Sequence, residues 1–497
     1  MINRRTLLKT AATTGTIMVF AGTLPGLRAI AQAMPPLRRS LKGMDLDDPI
    51  LKTWREFVKI MKDPSRDGQP VSWVSFSNIH GTSGAFNFCP HGNWYFLPWH
   101  RSYIRMYEVA ARAVTGDMDF AMPYWDWTAQ PDFPAALGDE TFDGQPNPLF
   151  VTGRLLQTGD KMDDNVVGQA VMDEIYANLN FEEFGSSRPG GQNNTDPSWI
   201  RARGIQGMLE FNPHNNVHCD VFGPFMCSGA SPQDPTFQMH HCNIDRVWAQ
   251  WIAMGRSNST DALWLNMPFT NNFIDPAGDT HTDVVSELLE VEPLGYTYGL
   301  APEPEPKPVA YPGRNLHLAA LFGAPMAITL ESVGVERRIM RIDKTATPSN
   351  PLSITLQANK TELQRAVDPS TARALEAAGL AQRKVYAFIR QMTPSKAHTT
   401  QLQIFVNLPN ASATTPTTGN PNYVTSIGFF GPSQRHGDHD MRPSVAVNLT
   451  PALRRLSQNR PSDSDQITLQ LVPVAQQGDN LAIAGDVTPA AVELAIV

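Results

Sequence analysis

The chain has 497 residues, 41% hydrophobic and 18% charged, with a formal net charge of −8. That length exceeds one ordinary core, since about 150 residues per domain is usual, and the composition is that of a globular chain rather than a disordered one. An acidic balance without long basic runs excludes nucleic acid as a general partner, because phosphate binding needs a basic surface.

Residues 3–9 read NRRTLLK, then comes a mildly apolar, Thr- and Gly-rich stretch, then AQA at 31–33. A twin-arginine head, an apolar middle and a small-x-small end predict an export signal over residues 1–33, and so a periplasmic or secreted protein. Pro25 and the threonines break the segment too often for stable membrane insertion. Residues 48–62 have helical spacing, with Leu51, Trp54, Val58 and Met61 on one face. Residues 101–114 are a second helical stretch. PYWDWT (123–128) and the Pro/Gly/Asn-rich segment to Phe150 are loop, GQAVMDEIYANL (168–179) is helical, and 193–197 is loop again. PHNNVH (213–218) and FQMHHCNIDRVWAQW (237–251) are further helical candidates. Residues 301–313 alternate Pro with charge, which predicts an extended linker. Beyond it, 337–343, 384–392, 401–408, 423–430, 467–474 and 491–497 are short β-rich runs between Pro/Gly/Asn/Ser clusters, predicting a sandwich-like β domain. The organisation is thus a helical domain over 34–300, a linker over 301–313 and a β domain over 314–497.

Seven of the twelve histidines fall between His80 and His241. His80, His91 and His100 form one sequence cluster; His214, His218, His240 and His241 form the other. His214 and His218, four apart on a helix, project from one face and can grip a single ion. In the 237–251 segment Phe237, His241, Asp245 and Trp248 share a face. Asp245, one turn from His241, is expected to take that ring's other N–H, which favours His241 over His240 as ligand and leaves His240 as a packed neighbour facing elsewhere. HNNVH lacks the Glu of a zinc-hydrolase motif, and the Glu-x-x-His pattern of carboxylate-bridged di-iron proteins is also missing. Three imidazoles per ion suit copper among redox metals, with zinc open on ligand type alone. The four cysteines are too few for a disulfide scaffold, although Cys219 and Cys227 are near enough to close a short loop.

CPHGNWYFLPWHR (89–101), PYWDW (123–127), LEFNPHNNVH (209–218) and DPTFQMHHCNIDRVWAQW (234–251) resemble, in this order, the tyrosinase family of type 3 copper proteins, which includes polyphenol and catechol oxidases. YTYG (296–299) resembles the Tyr-x-Tyr mark that closes the family's catalytic domain. The tail is more loosely similar to the C-terminal domain of plant-type polyphenol oxidases. The resemblance implies a mainly α catalytic domain, with a four-helix-bundle core around a dicopper site, followed by the β-sandwich-like C-terminal domain. It implies two copper ions that bind O2, the first held by His80, His91 and His100 and the second by His214, His218 and His241. It further implies a thioether from Cys89 to His91, Phe237 shielding the metals, and Glu210 and Asn215 holding a water that takes a phenol proton. With Cys89 so linked and Cys219 paired to Cys227, Cys242 is left as a free thiol beside the second copper. Phe96 and Trp99 are packing.

The implied activity is that of a tyrosinase: ortho-hydroxylation of monophenols and oxidation of o-diphenols to o-quinones by O2. A catechol oxidase without the first step and a haemocyanin-like O2-binding protein are the alternatives. The implied partners are small phenolic or catecholic substrates and O2, with the oligomeric state open. In relatives the tail domain covers the copper site. RHGDHD (435–440) in that tail is a solvated loop by composition, with a pH-sensitive or metal-acquiring role for His436 and His439 as the sharper reading.

Overall fold

A computed structural model describes residues 34–300, 336–368, 370–371, 374, 383–431, 442–459, 465–476 and 484–497. The export signal over 1–33, the linker over 301–313 and the loop 435–440 lie outside the described residues. Among the described residues no helix is long and apolar enough to cross a membrane.

The helical part is built on α1 (Pro49–Met61), α2 (Trp73–His80), α3 (Phe96–Thr115), α4 (Asn215–Val221) and α5 (Thr236–Ala253). Asp48 caps α1 by accepting the Ile50 N–H, and Pro49 takes the first turn, where no amide donor is needed. The face read from the sequence is the buried one, with Leu51, Trp54, Val58 and Met61 in the core. Helix α3 begins five residues before the expected stretch, so His100 lies inside it, and it ends on Gly116 in the left-handed region. Leu37–Arg38 pairs in parallel with Thr297–Tyr298, drawing the two ends of the helical part together.

The C-terminal part is built on β1 (Glu336–Arg341), β2 (Leu352–Gln357), β3 (Val385–Arg390), β4 (Thr400–Val406), β5 (Tyr423–Gly428), β6 (Val445–Asn448), β7 (Gln466–Ala475) and β8 (Ala491–Ile496). They form two four-stranded antiparallel sheets, ordered β2-β7-β4-β5 and β6-β3-β8-β1. In β2 burial alternates, with Leu352, Ile354 and Leu356 inward, as expected for a strand with one wet face. β3 is buried at every position. Val385, Ala387 and Ile389 join the main core, while Tyr386 and Phe388 pack with Ala446, Ala495 and Ile205 of the helical part. The second sheet is thereby covered on both faces.

Candidate dicopper centre

His80 is the last residue of α2, His91 sits in the loop before α3, and His100 is one turn into α3. All three are buried, with ring centroids 5.5–5.8 Å apart. Their Nδ1 atoms face acceptors: the Gly229 carbonyl 2.7 Å from His80, the Phe96 carbonyl 2.7 Å from His100 and Glu210 Oε1 3.3 Å from His91. An oxygen that only accepts fixes the proton on Nδ1 and leaves Nε2 a bare lone pair. Those lone pairs face one another: His80 Nε2 is buried without a hydrogen-bond partner, and His91 and His100 Nε2 lie 3.1 and 3.2 Å from Cys89 Sγ.

His214 precedes α4 and His218 lies within it, while His240 and His241 are on α5. The segment Glu210–His214 is not regular helix, because Asn212 is extended at φ −158°, ψ 120°. His214 Nδ1 lies 3.0 Å from Asn215 Oδ1, and His218 Nδ1 lies 2.8 Å from the Met226 carbonyl. Their Nε2 atoms are 3.3 and 3.2 Å from His241 Nε2. The His100 and His241 rings stack at 4.2 Å and 12°, which brings the two groups into one cavity. Burial, above all, lowers the pKa of every one of these imidazoles, to about 3 for His80 and His214, so all are neutral at physiological pH. Converging nitrogens on buried neutral rings are well placed to hold a cation. Three imidazoles in the first group, with the Cys89 sulfur beside them, and the imidazoles of the second suit copper, so the residues fit two copper ions.

Glu210 is buried against the first group. Its Oε1 accepts from the Gly92 amide at 2.6 Å and from Gln206 Nε2 at 3.2 Å, and Ser186 Oγ donates to Oε2. Burial raises its pKa to about 7 in spite of these hydrogen bonds. Gln206 Oε1 in turn faces Asn215 Nδ2 at 3.4 Å, so one amide bridges Glu210 and Asn215. Phe237 is 4.2 Å from the His241 ring, 5.1 Å from His80 and 5.7 Å from His218, over the seam between the groups. Phe96 packs 4.8 Å from both His100 and His214, and Trp99 packs 5.0 Å from His100.

Three expectations change. Asp245 does not reach His241: its oxygens take Arg101, Arg38, Tyr296 and Tyr298, and His241 Nδ1 has no hydrogen-bond partner. Four cationic and hydroxyl donors outbid one imidazole for a buried carboxylate. His240 does not face elsewhere: it joins the second group, its ring 5.3 Å from His214 and 4.8 Å from His218. Cys242 Sγ points away from the histidines, 3.4 Å from the Met122 carbonyl and 3.6 Å from Tyr298 Oη. Cys219 and Cys227 are disulfide-bonded.

Sequence reasoning missed the residue that fills the cavity mouth. Phe430, just past β5, lies 4.1 Å from the His218 ring at 26°, 5.0 Å from His91 and 5.5 Å from His214. Its glycine flanks permit this insertion. A Cβ on Gly431, whose φ is +75°, would stand 2.2 Å from the Phe86 ring, and one on Gly428 would stand 2.5 Å from Asn216 Oδ1. Asn215 Nδ2 donates to the Gly428 carbonyl at 3.1 Å and Gln476 Nε2 to Asp220 Oδ1 at 2.7 Å, while Lys384 pairs with Glu183 at 2.8 Å.

A helical scaffold with two buried histidine-rich groups side by side, one of them including Cys89, defines a paired-metal protein of the type 3 copper class. The family model described as the common central domain of tyrosinase matches residues 70–166 and 139–254, and a domain family of unknown function matches 330–486. The tyrosinase HcTyr1 of Hahella sp. (strain CCB-MM4) is 26% identical over 485 residues, covering 88% of this chain and 96% of its own. The tyrosinase of Streptomyces glaucescens is 30% identical over 221 residues, covering 40% of this chain and 77% of its own. The chain spans about half the length of the plant polyphenol oxidases it matches. The structure of latent apple tyrosinase superposes with a TM-score of 0.64 at 19% identity, covering 96% of this chain and all of that one. The chain belongs to the tyrosinase family, whose members bind two copper ions and act on phenols with O2.

Proposed function

We propose that the chain is a latent tyrosinase, acting on both monophenols and o-diphenols. His80, His91 and His100 hold the first copper, and His214, His218 and His241 the second. The copper pair supplies O2 binding and two-electron oxidation of the phenol ring. The chain's own part is to fix the tautomers of five of the six rings, His80, His91, His100, His214 and His218, to exclude water behind Phe237 and to receive a proton. The observation that carries the monophenol step is the buried Glu210 carboxylate, between His91 and the Gln206–Asn215 pair. A phenol, with a pKa of about 10, needs a nearby base before its oxygen binds a metal well.

In the Glu210→Gln variant the Gly92 amide keeps an acceptor, so the fold is spared. Its kcat/KM on tyrosine is expected to fall by roughly 100-fold, while that on a catechol falls by under about 10-fold. Equal losses would overturn the proton-accepting role. A protein that oxidises catechol and leaves tyrosine untouched is a catechol oxidase, and one that binds O2 reversibly without turnover is a carrier.

Cys89 Sγ, against the edge of the His91 ring, supports a thioether to that ring. Peptide mass spectrometry of copper-loaded protein is expected to find the 89–91 peptide lighter by two hydrogens and resistant to alkylation. A freely alkylated Cys89 in active protein counts against the link. The twin-arginine head at residues 3–9 supports export to the periplasm or outside the cell, a compartment that permits the disulfide.

A further inference from the structure

The disulfide sits where it closes a ring around one histidine. Cys219 directly follows His218, and Cys227 directly follows Met226, whose carbonyl accepts the His218 Nδ1–H at 2.8 Å. Histidine and acceptor are therefore tied twice, once by the sulfur bridge and once by the hydrogen bond. All four residues are buried. The chain between them has reason to relax if released, because Phe222 is held at φ +54° and Gly223 at +66°. A bulky aromatic in the left-handed region is strained. Two hydrogen bonds within the turn, Phe222 N–H to the His218 carbonyl and Met226 N–H to the Phe222 carbonyl, are all that the backbone there adds between these residues.

Three residues further on, the Gly229 carbonyl accepts from His80 Nδ1. One loop thus sets a tautomer in each metal group, but its two ends are held differently. At Gly229 the chain is wedged against a hairpin, where an added Cβ would stand 2.4 Å from the Thr82 carbonyl and 2.5 Å from the Ala85 carbonyl. At Met226 the covalent anchor is the disulfide.

We propose that the Cys219–Cys227 disulfide is a positioning element of the second copper site, holding the Met226 carbonyl on His218 Nδ1 so that Nε2 stays aimed at the ion. Outer partners of ligand histidines commonly govern metal affinity by 10- to 100-fold, and here the partner is a backbone carbonyl whose one covalent tie to the histidine's own helix is the bridge. The proposal rests on the copper reading of the two groups. It separates from a general bracing role because it predicts a loss at one site and not at the other.

The test uses the full-length chain with one group disabled at a time. His91→Ala leaves the second group, and His241→Ala leaves the first. Each is combined with Cys219→Ala/Cys227→Ala, and copper(I) affinity is read by competition with a chromophoric chelator. Affinity at the second group is expected to fall by about 10-fold or more, and at the first by less than about 3-fold. In metal-free protein the His218 ring N–H, followed by NMR, is expected to exchange with solvent faster once the bridge is gone. If the alanine pair does not fold, Cys219→Ser/Cys227→Ser carries the same comparison. Unchanged affinity at the second group, or equal losses at both, overturns the positioning role. Failure of His91→Ala protein to bind copper with its disulfide intact is a different result, and it overturns the copper reading together with the proposal.

Discussion

Phe430→Ala is expected to raise diphenol oxidation by the copper-loaded, full-length chain by roughly 10- to 100-fold. The Phe430 ring occupies the slot between His91, His214 and His218 that a phenol ring must enter, and it stacks on His218 at 4.1 Å. Burying a phenylalanine contributes about 1.5–3 kcal/mol. That is the preference for the filled cavity that a substrate must overcome, and each 1.4 kcal/mol is about tenfold in an equilibrium. The contacts that dock the C-terminal part remain in the variant: Asn215 to Gly428, Gln476 to Asp220 and Lys384 to Glu183. The β part therefore stays bound while its plug is removed. The gain is expected mainly in KM for small catechols and less for bulky ones, which still meet Phe429 and the rim. Rates on catechol and on a tert-butyl catechol measure this. An unchanged rate on both would place the barrier to entry in another part of the interface.

Helix α1 was legible because its apolar residues Leu51, Trp54, Val58 and Met61 recur with the period of a helix. The histidines were legible as a motif. Helix α2 was not, because WVSFSNIH has aromatic, β-branched and serine residues without a clean stripe, and its core contacts come from several sides. β2 passed unread although Leu352, Ile354 and Leu356 alternate with polar residues, a pattern the sequence did contain. β6 has only four residues, too few for any period. Within the site, two of the residues missed, Ser186 and Phe430, are brought in from farther along the chain, while Gln206 lies only four residues before Glu210. Ser186 and Gln206 carry no motif of their own, and only the folded chain sets Ser186 beside Glu210 and Phe430 beside His218. Asp245 was misread for the same reason: a helical-face argument sees His241 four residues away but not Arg38, 207 residues distant in sequence.

That pairing leads to the largest expected loss of stability. Arg38→Met should destabilise the protein by about 3–5 kcal/mol, the usual cost of removing one partner from a buried ion pair. The Arg38 guanidinium is fully enclosed. It donates to Glu108 at 2.8 Å, Asp245 at 3.0 Å and Tyr298 at 2.9 Å, and lies 3.4 Å over the Tyr296 ring. Burial alone would push the Asp245 pKa up, but Arg101 and Arg38 hold it below the ordinary carboxylate value. Methionine fills much of the volume and leaves that negative charge with Arg101 as its one cationic partner. The damage should reach the metal centre, since α3 carries His100, Arg101 and Glu108, and α5 carries His241 and Asp245. Arg38 clamps those two helices together through Glu108 and Asp245, respectively two turns beyond His100 and one turn beyond His241. Denaturant unfolding of the metal-free chain measures the stability term, and copper content per chain measures the second effect. Arg38→Lys should recover only part of the loss, because an ammonium cannot reproduce the planar fork that serves Glu108 and Asp245 together. Full recovery by lysine would mean that charge alone matters here and that the geometry of the clamp does not.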